Sequence, residues 1–241
     1  MLSSTITTAF LLLAGSANAL PWPLPRAASY TPAANLDKLA QLFPTSALPA
    51  PKDQKLKYVV LGVGTQNYTC GSDENAAPGT TGALATLYDI GTKLNDDWMA
   101  KWKIPTLTPL ALSLSAAPQM LDWSLKSQGY EHAIGVHLFS KIGQVNTPIF
   151  AFDQLSASPH PRAQVTKLNA TDAPAHACPG SNGLPAVQWL YLKDTVGASV
   201  GGIDTVYRVE TAGGNRPATC KGMKPSFEVR YAAQYWVFGP K

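Results

Sequence analysis

Charge is scarce in this chain. Asp, Glu, Lys and Arg make up only 14% of its 241 residues, too few to solvate the outer faces of many helices. The net charge is +4, but the basic residues are scattered and no basic run interleaves with aromatics, which argues against a nucleic-acid partner. Long apolar runs are also missing. The stretch Ala9–Ala14 is far shorter than the roughly 20 residues a membrane-spanning helix needs, and no second run reaches that length. Cysteine is limited to Cys70, Cys178 and Cys220, spaced too widely for a C-x-x-C zinc or redox site. Histidine is no richer. His132 and His137 stand five apart in a strand and so face opposite sides, His160 and His176 lie among prolines, and there is no H-E-x-x-H. The reading is therefore no metal and no cofactor, with His137 a satisfied, semi-buried histidine.

What is present begins with an export signal. The run Ala9–Ala14 is followed by small residues ending in Ala17-Asn18-Ala19, the small-x-small pattern of a signal peptidase site. The expectation is a signal peptide over 1–19, a mature chain beginning at Leu20, and a secreted, extracellular protein. The end of the chain, Tyr235 to Lys241, lacks the hydrophobic tail of a lipid-anchor signal. In an oxidising compartment two of the three cysteines should pair, leaving one over. Two sequons, at Asn67 and Asn169, are candidate glycosylation sites of a secreted glycoprotein.

Residues 20–54 read as a proline-rich arm, with Leu36, Leu39, Ala40 and Phe43 forming one short helical face. Residues 55–241 read as a single β domain. Strand character appears at 57–70, 82–89, 132–140, 148–153, 186–193, 203–211 and 227–238. Helices are predicted only in an insert, at 96–102 and at 119–125 after Pro118. Residues 159–185, with five prolines, read as a loop. The fold class is mainly β: an antiparallel β-sandwich or barrel with a short helical insert.

Two motifs match the letters of enzyme signatures and fail their context. Gly197-Ala198-Ser199-Val200-Gly201 spells G-x-S-x-G, but a strand follows it where a helix is required, and no histidine comes after Ser199. It reads as a hairpin turn. Gly62-Val63-Gly64 begins like a dinucleotide fingerprint, but Asn67 stands at its sixth position and β-like residues follow, so no helix N-terminus is offered to a phosphate. Carboxylates are the remaining route to catalysis. Asp89, Asp153, Glu210 and Glu228 lie in or beside strands, and a glycosidase needs two of them about 5–9.5 Å apart.

Strand parity supplies a candidate binding face. In the last strand Glu228, Arg230, Gln234 and Trp236 share one face; in the strand before it Arg208 and Glu210 share a face. If the two strands pair, these charges form a cross-strand ladder beside Trp236, which is either a solvated face or a contact surface for sugar rings or other planar ligands. Trp189, Tyr191, Tyr207, Tyr231, Tyr235 and Trp236 are core residues on one reading and a stacking platform on the other.

Six ordered segments carry a resemblance: Val59–Cys70, Gly82–Asp89, Gly135–Phe139, Val187–Leu190, Val206–Gly214 and Tyr231–Trp236. Together, over about residues 45–238, they resemble a fungal secreted domain-of-unknown-function family, three-four-five-five. Its members often carry the label "malate dehydrogenase", which the failed fingerprint does not support in this chain. The family implies no catalytic residues. It implies cysteines like Cys70 and Cys220 in the motif stretches. Both also end strand segments at glycine-rich turns, so the expected disulfide is Cys70–Cys220, with Cys178 unpaired. The functional expectation is a non-catalytic binding or interaction protein, its partner a carbohydrate, a cell-wall component or a small ligand. The alternative is a secreted glycoside or ester hydrolase with a carboxylate pair.

Overall fold

The computed structural model describes residues 30–241. The expected signal peptide, the expected cleavage point before Leu20 and the start of the arm lie outside the described residues. Nine antiparallel strands form one sheet in the order β5-β4-β3-β2-β1-β9-β8-β7-β6. They are β1 (Gln54–Thr69), β2 (Gly79–Asp89), β3 (Ala133–Ile142), β4 (Val145–Ala151), β5 (Arg162–Gln164), β6 (Thr166–Thr171), β7 (Trp189–Lys193), β8 (Thr205–Gly213) and β9 (Ser226–Pro240).

The two outer strands of that order are one piece of chain. Only Val165 separates β5, which pairs with β4, from β6, which pairs with β7. Residues 162–171 therefore join both margins of the sheet and roll it into a nearly closed barrel. An isolated bridge, Arg162 to Val200, and a hydrogen bond from Gln164 N to Ser199 Oγ (3.0 Å) add to the seam. Closure removes the exposed edges that an open sheet of this size presents.

Period-two alternation splits the apolar residues between two cores. One fills the barrel: Val60, Leu87, Ile134, Phe150, Phe152, Val206, Tyr231, Ala233, Tyr235 and Val237 among others. The second lies outside, where Leu61, Tyr207, Val209, Ala232, Trp236 and Phe238 meet the helices. These are α1 (Asp37–Ala40), α2 (Gly91–Asn95), α3 (Ala100–Leu114) and α4 (Pro118–Gln128). Helix α4 has Pro118 in its first turn, where its missing N–H is no loss, and Gly129 in a left-handed cap at φ 76°. The arm joins the outer core: Leu36 and Leu39 are buried, and Phe43 sets its ring edge-on against Tyr207, Trp236 and Phe238.

The glycines of the false fingerprint serve the barrel wall. The whole segment runs as β1 with no helix behind it. A Cβ on Gly62 would stand 2.5 Å from the Tyr235 ring, and one on Gly64 would meet the Leu84 carbonyl at 1.9 Å. They admit close neighbours, not a phosphate. The G-x-S-x-G stretch lies in the β7–β8 connection, where Asp194 accepts N–H bonds from Val196, Gly197 and Ser199. Burial pushes the Asp194 carboxyl up, and these donors outweigh it, holding the group at about 2.

Cys70 and Cys220 form a disulfide across a sequence separation of 150, and Cys178 is a free, partly exposed thiol. The bridge ties the end of β1 to the β8–β9 loop. No helix among the described residues is long and apolar enough to cross a membrane.

Candidate functional site

The barrel is filled at one end and hollow at the other. Leu155, Phe152 and Ile203 pack its lower end, below Tyr231 and Tyr235. Toward the ends of β1 and β6 the wall opens on a cavity of about 630 Å³, within the roughly 300–1,000 Å³ usual for small-ligand sites. Its wall is mixed: Phe139, Val145, Pro148, Val165, Leu190 and Leu192 supply apolar surface, and Gln66, Arg208, Arg216, Lys167 and several threonine and amide side chains supply polar groups.

Arg208 is the central one. It stands opposite Tyr235 on β9 and Leu190 on β7, so the pleat turns it into the barrel. Its Nε and Nη2 donate to the Gln188 carbonyl at 3.1 and 2.9 Å. Three ion pairs form among the described residues, and none includes Arg208. Its charge is felt through the interior. Burial raises the Tyr68, Tyr231 and Tyr235 hydroxyls, and Arg208 opposes that rise at each.

Gln66 lines the same cavity from β1 and is 5% exposed. Its Nε2 is buried without a hydrogen-bond partner. The Gln66 side chain is close enough to the Tyr231 hydroxyl to oppose the rise that burial gives it, and that hydroxyl lies 2.9 Å from the Tyr235 hydroxyl. Leaving a buried amide donor unpaired costs about 1–3 kcal/mol. At the rim, Arg216 Nη1 donates to the Pro78 carbonyl, Lys167 is exposed, and Asp172 accepts from Gln188 Nε2 at 3.0 Å.

Below the cavity His137 is fully enclosed, stacked on Phe150 at 4.1 Å with Nδ1 2.9 Å from the Ile149 carbonyl. Burial, aided by Arg208, lowers it from 6.5 to about 4. The sign of the pH effect follows. Above pH 6.5 the ring is neutral in both folded and unfolded chains. As pH falls from 6.5 to about 4 only the unfolded chain takes up the proton, so the folded state loses about 3 kcal/mol in all. Urea denaturation at pH 7 and pH 4 is expected to show this loss, and His137→Gln to remove most of it. An unchanged pH slope in the variant would exclude His137 as its source.

The candidate ladder does not assemble. Arg208 faces the barrel interior, while Gln234 and Trp236, both fully buried, face outward beneath α3. Gln234 Nε2 donates to the Ile104 carbonyl at 2.6 Å, and Trp236 Nε1 to Gln234 Oε1 at 3.2 Å. Glu210 sits in a β-bulge between Val209 and Ala212 with φ 46°, which reverses the alternation behind it. Burial raises its carboxyl. Glu228 and Arg230 lie beyond the reach of β8, opposite Asn67 and Thr65 of β1, and line a separate outer groove of about 920 Å³. The six residues thus occupy different surroundings, because a bulge and a helical cover, neither visible in strand parity, intervene.

The other sequence candidates also disperse. Asp89 is buried and accepts from Tyr30 Oη and Thr92 Oγ1, whereas Asp153 is exposed beyond β4. Asn67 is half-buried in β1, between Gly82 and Glu228; Asn169 is exposed on β6. The six candidate aromatics divide between the two cores, with Tyr191 only partly buried. The exposed aromatics are instead Trp98, Trp102 and Trp123, at 84, 60 and 70%.

The chain matches, over residues 50–239, the family model described as Protein of unknown function (DUF3455). It belongs to that family. The match covers the strands of this DUF3455 protein, short only of Pro240, the last residue of β9, and leaves α1 outside. No curated protein and no solved structure matches it.

Proposed function

We propose that this DUF3455 protein is a secreted, disulfide-braced binding protein that holds a small ligand in the mouth of its barrel. The observation that carries this reading is the cavity of about 630 Å³, part apolar and part polar, with a buried, unpartnered amide at its wall. A buried polar group without a partner calls for an explanation, and a ligand acceptor in the cavity supplies one for Gln66. The cysteine bridge suits an oxidising compartment, and the signal-like residues 1–19 suit the same destination. Asp172 is the single carboxylate in the cavity wall, so this site favours binding over the two-carboxylate hydrolase.

The test is a fluorescence titration with anilinonaphthalene sulfonate, an amphiphilic reporter of apolar sites. Leu190 lines the cavity and is only partly buried, so Leu190→Trp fills space without displacing the packed floor. It is expected to weaken the probe by about tenfold or more. Trp102→Ala, on the exposed face of α3, is expected to leave binding unchanged. The opposite pattern would place the site on the helical insert, where the three exposed tryptophans offer a surface for sugar rings.

A further inference from the structure

We propose that the ligand of the barrel mouth is an organic anion: a carboxylate on an apolar body, the carboxylate held by Arg208 and the Gln66 amide. This rests on the reading of the cavity as a ligand site and adds the chemistry of the occupant.

The case begins with what the donors lack. A guanidinium carries five N–H groups. Arg208 directs Nε and Nη2 at the Gln188 carbonyl, lies close to the Tyr235 hydroxyl, and has no carboxylate partner among the described residues. A half-buried guanidinium without a counter-ion gains a charge-assisted bond when an anion arrives. Gln66 supplies the second, independent observation. It is buried, lines the same cavity, and its Nε2 has no acceptor. Of the nearby hydroxyls, Tyr231 shares a hydrogen bond with Tyr235 and Tyr68 donates to the Gly214 carbonyl at 2.7 Å, and no hydrogen bond of ordinary geometry reaches Gln66 Nε2.

Charge around the mouth has the same sense. Arg208, Arg216 and Lys167 line the cavity against one carboxylate, Asp172, which already accepts from Gln188. A ligand cation would meet three like charges. A neutral ligand would leave Arg208 as it is. An anion gains a charge-assisted bond, which is about twice as strong as a neutral one. Phe139, Val145, Pro148, Val165, Leu190 and Leu192 give the rest of the wall a large apolar share, interleaved with threonine and amide side chains, so an anion that carries apolar substance fills it better than a bare one. Inorganic phosphate or sulfate would satisfy the donors and leave the apolar wall wet.

The experiment uses three matched pairs on the full mature protein: octanoate, decanoate and naphthoate, each beside its own primary amide. Each pair has one shape and differs in charge, and each member is titrated as a competitor of anilinonaphthalene sulfonate. At least one carboxylate is expected to bind about tenfold or more tightly than its amide. In Arg208→Gln that preference is expected to collapse to about twofold, with amide affinity little changed. Gln66→Leu guards against simple misfolding. Replacing an unpaired buried amide by an apolar group of similar shape leaves stability equal or raised, while carboxylate affinity falls. Amides binding as well as carboxylates in wild type would overturn the anion assignment and leave the cavity a ligand site. Probe binding indifferent to Leu190→Trp would remove the cavity reading itself. Carboxylate preference that persists in both Arg208→Gln and Gln66→Leu would overturn the named grip.

Discussion

Trp236→Ala is expected to lower the free energy of unfolding by about 3–5 kcal/mol, the range for emptying a large aromatic site in a core. Trp236 is 0% exposed and is the largest of the fully buried side chains. Its ring receives the Phe43 edge at a centroid distance of 5.4 Å, so truncation loosens the arm as well as the β9 wall. Its Nε1 donates to Gln234 Oε1, whose Nε2 donates into α3. Alanine would open a void and leave the Gln234 oxygen without a donor. In a chain of this size the loss corresponds to a fall in Tm of about 10 °C. Urea denaturation of the two proteins measures it directly, with Trp98→Ala as the exposed comparison, for which about 0.5 kcal/mol or less is expected. A loss below about 1 kcal/mol for Trp236→Ala would mean that the helical cover adapts, and that this face is open to a partner after all.

The second large effect belongs to the disulfide. Replacing Cys70 and Cys220 with serine releases a loop whose ends are 150 residues apart. Chain-entropy reasoning gives about 5 kcal/mol as an upper bound, and native bridges commonly contribute about 2–4. About 3 kcal/mol is expected, read by denaturation of the double variant. The position of the bridge adds a functional consequence. It fastens the end of β1 to the loop that carries Arg216 to the Pro78 carbonyl, so its removal frees the rim of the cavity. Probe affinity should fall along with stability, even at temperatures where the variant is fully folded. Full stability in the double variant would show that β1 and β9 are held by their ladder alone.

The strands of the last third were plain from their Val, Tyr and Trp content, and the alternation of β9 correctly divided Tyr231 and Tyr235 from Trp236. The sequence left unmarked the segment that closes the barrel. β5 and β6 are short and polar, Arg-Ala-Gln and Thr-Lys-Leu-Asn-Ala-Thr, and lie among prolines. Their strand character comes from pairing at both margins of the sheet, a tertiary cause. Helix α3 was hidden in a similar way. It carries Pro105 and Pro109 in its interior, and the carbonyl just before Pro105 is engaged by Gln234 from the barrel. The cavity was the least visible feature. Gln66, Arg208 and Arg216 share no local pattern, since they come from different strands and a loop and meet only because the barrel closes. The bulge at Glu210 then defeated simple counting, for it places both Val209 and Ala212 on the helical side.

The position of β9 has a consequence for how the protein is made. It is the last strand in chain order, yet it lies between β1 and β8 and pairs with both along most of its length. A nascent chain emerging from the ribosome can form the β1–β2–β3–β4 meander early. It cannot join β8 to β1 until residues 226–240 have been synthesised, because β9 is the strand between them. Until then β1 presents a long, apolar, unpaired margin, the kind of edge that recruits other chains. Vectorial synthesis thus hands the cell an open sheet, and a crowded translation or translocation site would be where this chain aggregates.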